Sequence, residues 1–229
     1  MSRRILLARH GRTVSNARGL LLGRANPDLD PLGLSQADAL GADIAARSRP
    51  VGNIITSPLR RAAQTAEAIA RHTGAEIEVD EAWIELDYGD FDERPVADLG
   101  ADVWAEWRSD LHFRPPGGET LAELGHRVRS ACDSLARSPV GPASESATAS
   151  DEHDRNHPLG PTGETQRFDT VVVSHVSPIK AATAWALGVD DSVSWRLFLK
   201  PASLTTLRVN DDGSSTLEGF NATSHLTDL

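Results

Sequence analysis

The chain has a single cysteine, Cys132, which leaves no partner for an intrachain disulfide and excludes a multi-thiolate zinc site. Cys132 falls at an apolar helical spacing and is expected in the core, so redox chemistry is not expected. No apolar run approaches the roughly 18 residues of a membrane span, so no membrane partner is expected. The run from Ile5 to Ala8 is too short for the core of a signal peptide and no small-residue cleavage site follows it, so a cytoplasmic location is expected. Basic charge is also in deficit. Lys and Arg number 23 against 33 Asp and Glu, and the formal net charge of −10 repels polyanions at long range. Nucleic acid is therefore not an expected partner, and a small ligand is favoured. No repeat of solenoid period is visible. No heptad seam or apolar stripe specifies an interface, although a homo-oligomer is compatible with the sequence.

What the chain does contain is strand followed by helix, repeatedly. Ile5 to Ala8 reads as a buried strand ending at Arg9-His10-Gly11. Asp30 and Pro31 read as the N-cap and first residue of a helix carrying Leu34, Ala37, Leu40 and Ile44 at helical spacing. Ile54-Ile55 closes a second strand. Ser57 is then expected to cap a helix whose first residue is Pro58, whose apolar face is Leu59, Ala62, Ala63, Ala66, Ile69 and Ala70, and which Gly74 stops. Ile77 to Val79 predicts a short strand, and Leu121, Leu124, Val128, Ala131 and Leu135 predict a helix after Pro116-Gly117-Gly118. Thr170 to Val173 is a β-branched strand ending at Ser174-His175, with a helix from about Pro178 to Leu187. At 229 residues, 39% of them apolar, this alternation predicts a single-domain three-layer α/β/α sandwich with a mainly parallel central sheet, spanning 1–229. From about 138 to 167 the composition turns to Ser, Pro, Gly, Asp and Glu, which predicts a flexible insertion.

Such sheets place ligands beyond the carboxyl ends of their strands, where three strand ends deliver Arg9-His10-Gly11, Ser57 to Arg61, and Ser174-His175. The guanidinium groups of Arg9 and Arg61 can grip phosphate oxygens through charge-assisted hydrogen bonds, and helix amino termini add N–H donors. A neutral imidazole is a competent nucleophile toward phosphorus. His10 is the better candidate, with Arg9 supplying charge and Gly11 close backbone approach, while His175 can donate to an equatorial oxygen. A leaving alkoxide needs a proton, and Glu85, just before Tyr88-Gly89, is the candidate acid. A zinc site built from His10, His175 and Glu85 is disfavoured by the flanking arginines, so no metal and no cofactor are expected.

The stretch Arg9-His10-Gly11-x-Thr13-x-x-Asn16 resembles the signature of the histidine phosphatase superfamily, which includes the cofactor-dependent phosphoglycerate mutases. The resemblance continues in order through Ser57-x-Leu59-x-Arg61-Ala62-x-x-Thr65-Ala66, Glu85-x-x-Tyr88-Gly89-Asp90-Phe91, Pro116-Gly117-Gly118-Glu119 and Val173-Ser174-His175. It implies a phosphohistidine at His10, phosphoryl binding by Arg9, Arg61 and His175, proton donation by Glu85, and no metal. It also implies a substrate-facing set of Arg9, Gly11, Asn16, Gly23, Arg61, Tyr88, His175 and Val176. The implied activity is hydrolysis of a small-molecule phosphate monoester. Phosphoglycerate mutase-type transfer and a catalytically weak phosphate-binding pseudo-enzyme are the alternatives.

Two departures from the pattern bear on specificity. Val176-Ser177-Pro178 stands where relatives usually have Gly after the second histidine, and Phe91-Asp92-Glu93 replaces a common Trp-Glu-Gly. Asp87, Asp90, Asp92 and Glu93, opposed only by Arg94, predict an acidic lid that repels a second anionic group. A neutral or cationic leaving group, such as that of α-ribazole phosphate or a simple phospho-alcohol, is the expected match. Trp83, Trp104, Trp107, Trp185 and Trp195 are expected in the core or pocket wall, with Trp104 and Trp107 capping the site. His72, His112, His126, His153, His157 and His225 are expected on the surface.

Overall fold

The computed structural model describes residues 2–138, 167–227 and 229. The stretch 139–166, where most of the expected insertion falls, lies outside the described residues, as do His153 and His157. One six-stranded sheet organises the chain in the order β3-β2-β4-β1-β5-β6. Its strands are β1 (Arg3–Arg9), β2 (Val51–Thr56), β3 (Ile77–Val79), β4 (Asp169–Ser174), β5 (Leu204–Val209) and β6 (Ser215–Ala222). β3, β2, β4 and β1 run parallel, and β5 is antiparallel to both of its neighbours. The helices are α1 (Val14–Ala17), α2 (Pro31–Ala45), α3 (Arg60–Thr73), α4 (Ala101–Ser109), α5 (Leu121–Arg137) and α6 (Val176–Leu187).

The strands show why both faces must be covered. In β1, Ile5 and Leu7 join the apolar cluster of α5 and α6 (Leu124, Val128, Cys132, Ile179, Ala182), while Leu6 and Ala8 join that of α2 and α3 (Leu40, Ile44, Ala66, Ile69). In β4, Val172 faces the first cluster and Val171 and Val173 the second. A strand alternates its side chains between faces, so a continuous apolar run is stable only between two helical layers. Each fully buried Leu, Ile or Val contributes roughly 1.5–3 kcal/mol. The sandwich with a mainly parallel sheet is as expected, and Cys132 is in the core.

The local grammar holds at α2, where Asp30 caps by accepting from the Gly33 N–H and Pro31 occupies the first turn. It holds again at the end of α3, where Gly74 adopts φ 73°, a left-handed conformation that glycine enters without steric cost. It fails at the start of α3. That helix begins at Arg60 with Leu59 as N-cap, not at Ser57-Pro58. A loop residue supplies the missing acceptor, since the Arg60 N–H donates to Asn26 Oδ1 at 2.7 Å. α6 starts two residues earlier than expected, at Val176, which places Pro178 third in the first turn where no N–H is required. The short α1, the helix α4 and the C-terminal hairpin of β5 and β6 were not anticipated, although Asp212-Gly213 between two strand-like runs is a hairpin signal.

Candidate active site

β1, β4 and β2 are neighbours in the sheet, so their carboxyl ends bring Arg9-His10, Ser174-His175 and Ser57 together. Backbone bonds lock the arrangement. His10 N–H donates to the Ser174 carbonyl, Ser57 N–H to the Val173 carbonyl, and Ala202 N–H to the His10 carbonyl, each at 3.0 Å. The imidazoles of His10 and His175 lie 5.1 Å apart between centroids and are almost wholly buried.

His10 Nδ1 sits 2.7 Å from the Gly11 carbonyl oxygen. A carbonyl only accepts, so the neutral ring carries its proton on Nδ1 and keeps a lone pair on Nε2. Burial, with the charges of Arg61 and Arg9, pushes the His10 pKa well below its ordinary value. His175 has the opposite tautomer. Its Nδ1 accepts from Arg61 Nε at 3.2 Å, so Nε2 carries the proton and donates to Ser57 Oγ at 2.7 Å. Burial and Arg61 likewise depress the His175 pKa. Ser57 therefore orients a histidine instead of capping a helix.

Arg61 is fully buried and donates through Nη1 to the Ala25 carbonyl and through Nη2 to the Gly23 carbonyl, both at 2.7 Å. Arg9 Nη1 donates to the Leu199 carbonyl at 2.6 Å, and its Nε has no hydrogen-bond partner among the described residues. Burial lowers both guanidinium pKa values to about 10, with Glu85 opposing the shift, so both remain cationic at neutral pH. Gly11 lies under α2, where a Cβ would come 2.4 Å from the Gly33 carbonyl oxygen. Its N–H donates to Thr65 Oγ1. Asn16 forms the capping box of α1, its Oδ1 accepting from both the N–H and the hydroxyl of Thr13.

Glu85 is buried on the same side. Its carboxylate accepts the N–H groups of Val176 and Ser177 at 3.1 Å each, and that of Leu86 at 2.8 Å. The first N–H donors behind His175 are thus aimed at Glu85. From α5, Arg127 donates to the Ala82 carbonyl at 2.7 Å and the Glu85 carbonyl at 3.3 Å. Glu119 grips the other edge of that guanidinium at 2.8 and 3.0 Å. Pro116-Gly117-Gly118-Glu119 is therefore the brace of the acid segment. A Cβ at Gly118 would lie 2.4 Å from the Asp87 carbonyl oxygen, so only glycine permits that packing.

The lid differs from the acidic surface expected. Asp92 is spent on the N–H groups of Gly23 and Ala25, both at 2.7 Å, and Asp87 on that of Gly89 at 2.9 Å. Asp90 and Glu93 are exposed. The carboxylates are consumed because a loop without regular structure must find acceptors for its backbone N–H groups. Beside Glu85 lies a cleft of about 110 Å³ lined by Leu21, Leu86, Tyr88, Trp104, Trp107, Leu121, Val176, Ser177, Lys180, Ser194 and Trp195. Burial, with the charge of Glu85 adding to it, pushes the Tyr88 phenol pKa up, while a hydrogen bond with Ser177 opposes. The ring of Tyr88 meets Trp107 edge-on at 5.8 Å. Trp104 and Trp107 stack at 5.6 Å and 10°, forming a wall of this cleft. Trp83 is core, and Trp185 bonds Asp133 away from the cleft.

Arg127 and Lys180 are site residues to which sequence reasoning assigned no role, while Ser57 was expected only as a helix cap and Glu119 only as part of a motif. For Lys180 the signal was its i, i+4 spacing from Val176. His72, His112 and His126 are exposed, whereas His225 is half-buried with Nε2 2.9 Å from the Ala202 carbonyl oxygen. Among the described residues, no group of three or more His, Cys, Asp or Glu is arranged to hold a metal ion, and no helix is long and apolar enough to cross a membrane.

This constellation of two buried imidazoles and two buried guanidiniums beyond the parallel strands has known counterparts. The model of the histidine phosphatase superfamily (branch 1) matches residues 5–143 and 159–223, and the chain belongs to that family. The bifunctional protein Rv2228c of Mycobacterium tuberculosis is 31% identical over 226 residues, covering 97% of this chain and 55% of its own length. A probable phosphoglycerate mutase GpmB of Yersinia enterocolitica is 36% identical over 142 residues, covering 60% of this chain and 65% of its own. The chain thus spans about half the length of the first of these relatives and less than two thirds of the second. Among solved structures, mycobacterial glucosyl-3-phosphoglycerate phosphatase Rv2419c superposes with a TM-score of 0.76 at 26% identity, covering 97% of this chain and all of its own. The family and its structural neighbours support an enzyme of the phosphatase or mutase type.

Proposed function

We propose that the protein is a metal-independent phosphatase that hydrolyses a small-molecule phosphate monoester through a phosphohistidine at His10, in a cytoplasmic setting. The observation that carries this reading is the Nδ1 contact of His10 with the Gly11 carbonyl, which leaves a neutral Nε2 lone pair on a ring that feels the charges of the buried Arg61 and Arg9. In the first step Nε2 attacks phosphorus and the ester P–O bond breaks. Arg9 and Arg61 stabilise the charge that builds on the equatorial oxygens, and the Nε2–H of His175 joins them by leaving Ser57 Oγ for a phosphoryl oxygen. The protonated Glu85 carboxyl gives its proton to the leaving alkoxide. In the second step Glu85 takes a proton from water, whose oxygen attacks phosphorus, and the P–N bond breaks to free His10 and phosphate.

Asn16, Gly23, Tyr88 and Val176 belong to the proposed substrate-facing shell, Gly23 by holding Arg61 and Val176 by holding Glu85. The test is a phosphate-release screen over phosphorylated sugars, nucleosides, alcohols and hydroxy acids with chelator present. Release must vanish in His10→Ala, and an acid-labile, base-stable phosphoryl label must appear on the wild-type chain. Transfer to a second phosphoglycerate instead of to water would make the protein a mutase. Binding without turnover would make it a pseudo-enzyme.

A further inference from the structure

The cleft beside Glu85 supplies a cation, on which the Glu85 carboxylate acts through space. None of its lining residues is Asp or Glu, and its one ionisable cation is Lys180, half-buried on α6 one turn beyond Val176. Among the described residues the Lys180 ammonium has no hydrogen bond or ion pair. Two further donors belong to residues that line the same cleft. The indole Nε1 atoms of Trp107 and Trp195 are buried and have no hydrogen-bond partner among the described residues. Those two donors are closed off from solvent, which leaves the Lys180 ammonium as the group of this cleft that meets a ligand's acceptor. The hydroxyls of Ser177 and Ser194 complete a polar lining on a wall of stacked indoles.

The cleft also stands where a leaving group must go. Leu86, Val176 and Ser177 line it, and those are the residues whose N–H groups hold the Glu85 carboxylate. An acid that protonates the departing oxygen must face that oxygen, so the alcohol portion of the ester extends from Glu85 into the cleft. We propose that Lys180 is a specificity-determining residue that reads a single carboxylate on the leaving group, whose carbon atoms pack against Trp104, Trp107 and Trp195. One ammonium with neutral donors matches one negative charge, and burial makes that pairing worth more than on an open surface. This inverts the preference for a neutral or cationic leaving group predicted from the lid, two of whose four carboxylates accept backbone N–H groups. The inference rests on the hydrolytic reading for its kinetic test but not for its binding test.

3-Phosphoglycerate and glycerol 3-phosphate differ in one carboxylate. The expected result is a kcat/KM at least tenfold higher for the first, carried mainly by KM. In Lys180→Met that ratio should collapse toward one, and in Lys180→Arg much of it should return. A wild-type ratio of one or less, or a ratio unmoved by Lys180→Met, overturns the proposal. If neither compound is hydrolysed, the hydrolytic reading is judged by the wider phosphate-release screen and tryptophan fluorescence decides this one, since three of the five tryptophans line the cleft. 3-Phosphoglycerate should then bind at least tenfold more tightly than glycerol 3-phosphate in the wild type and equally in Lys180→Met. Equal binding to the wild type would refute it.

Discussion

Two neutral, buried imidazoles make a quantitative demand on stability. In the unfolded chain His10 and His175 take up protons near pH 6.5, while in the folded chain burial and the two arginines hold both pKa values well below that. The folded-state pKa is depressed for a group that is cationic when protonated, so the unfolded state binds more protons as pH falls. The associated stability is therefore fully present above about pH 7.5 and is lost progressively below 6.5, down to the folded pKa values. While each imidazole stays neutral in the folded state, the loss approaches about 1.4 kcal/mol per pH unit per histidine. His10→Asn removes one of these terms and keeps a short polar side chain near the Gly11 carbonyl. Urea unfolding at pH 7.5 and 5.5, in phosphate-free buffer of fixed ionic strength, should show the wild type losing about 1.4 kcal/mol more than His10→Asn over that interval. Comparing the two chains cancels carboxylates common to both. Parallel pH profiles for the two would show that His10 is not held neutral, and the case for its Nε2 as nucleophile would fall with it.

The same depression places the acidic limb of kcat/KM below pH 6.5, and a limb at or above 6.5 would contradict a neutral buried nucleophile. Glu85→Gln should slow esters of aliphatic alcohols by about 10²–10⁴-fold while sparing p-nitrophenyl phosphate, and equal losses on both would remove Glu85 as the proton donor. Ser57→Ala leaves the His175 Nε2–H without its acceptor and should lower kcat by up to about tenfold, with Ser57→Thr recovering part of it. Gly11→Ala drives a Cβ against the Gly33 carbonyl and should cost about 1–3 kcal/mol, read as a lower urea midpoint.

Much of the candidate site is legible in the sequence because Arg9-His10, Ser57 and Ser174-His175 all lie at the ends of apolar runs. A strand buried on both faces announces itself by composition, and the residues after it lie at the carboxyl edge of the sheet. Asp30-Pro31 and Gly74 are legible for a similar reason, since caps act on backbone groups within four residues. Ser57 shows the limit of that logic. Its sequence neighbourhood predicts a cap, but its hydroxyl pairs with His175, 118 residues away. The lid fails in the same way, because carboxylates counted along a segment do not reveal that two of them bond backbone N–H groups.

By itself the sequence determined the layered architecture and the family, and it is also the source of the proposal that His10, Arg9, Arg61, Glu85 and His175 form the chemical set. The architecture follows from local patterns, since periodicity and capping depend on residues close along the chain, while the family and the proposed set follow from the resemblance of the ordered motifs. Tertiary structure alone decided the tautomers of the two histidines, the bracing of Glu85 by Arg127 and Glu119, and the cleft that brings Lys180 beside three tryptophans. Those properties depend on which donors meet which acceptors across distant segments, and folding settles that by satisfying buried polar groups with whatever partner the packing brings near.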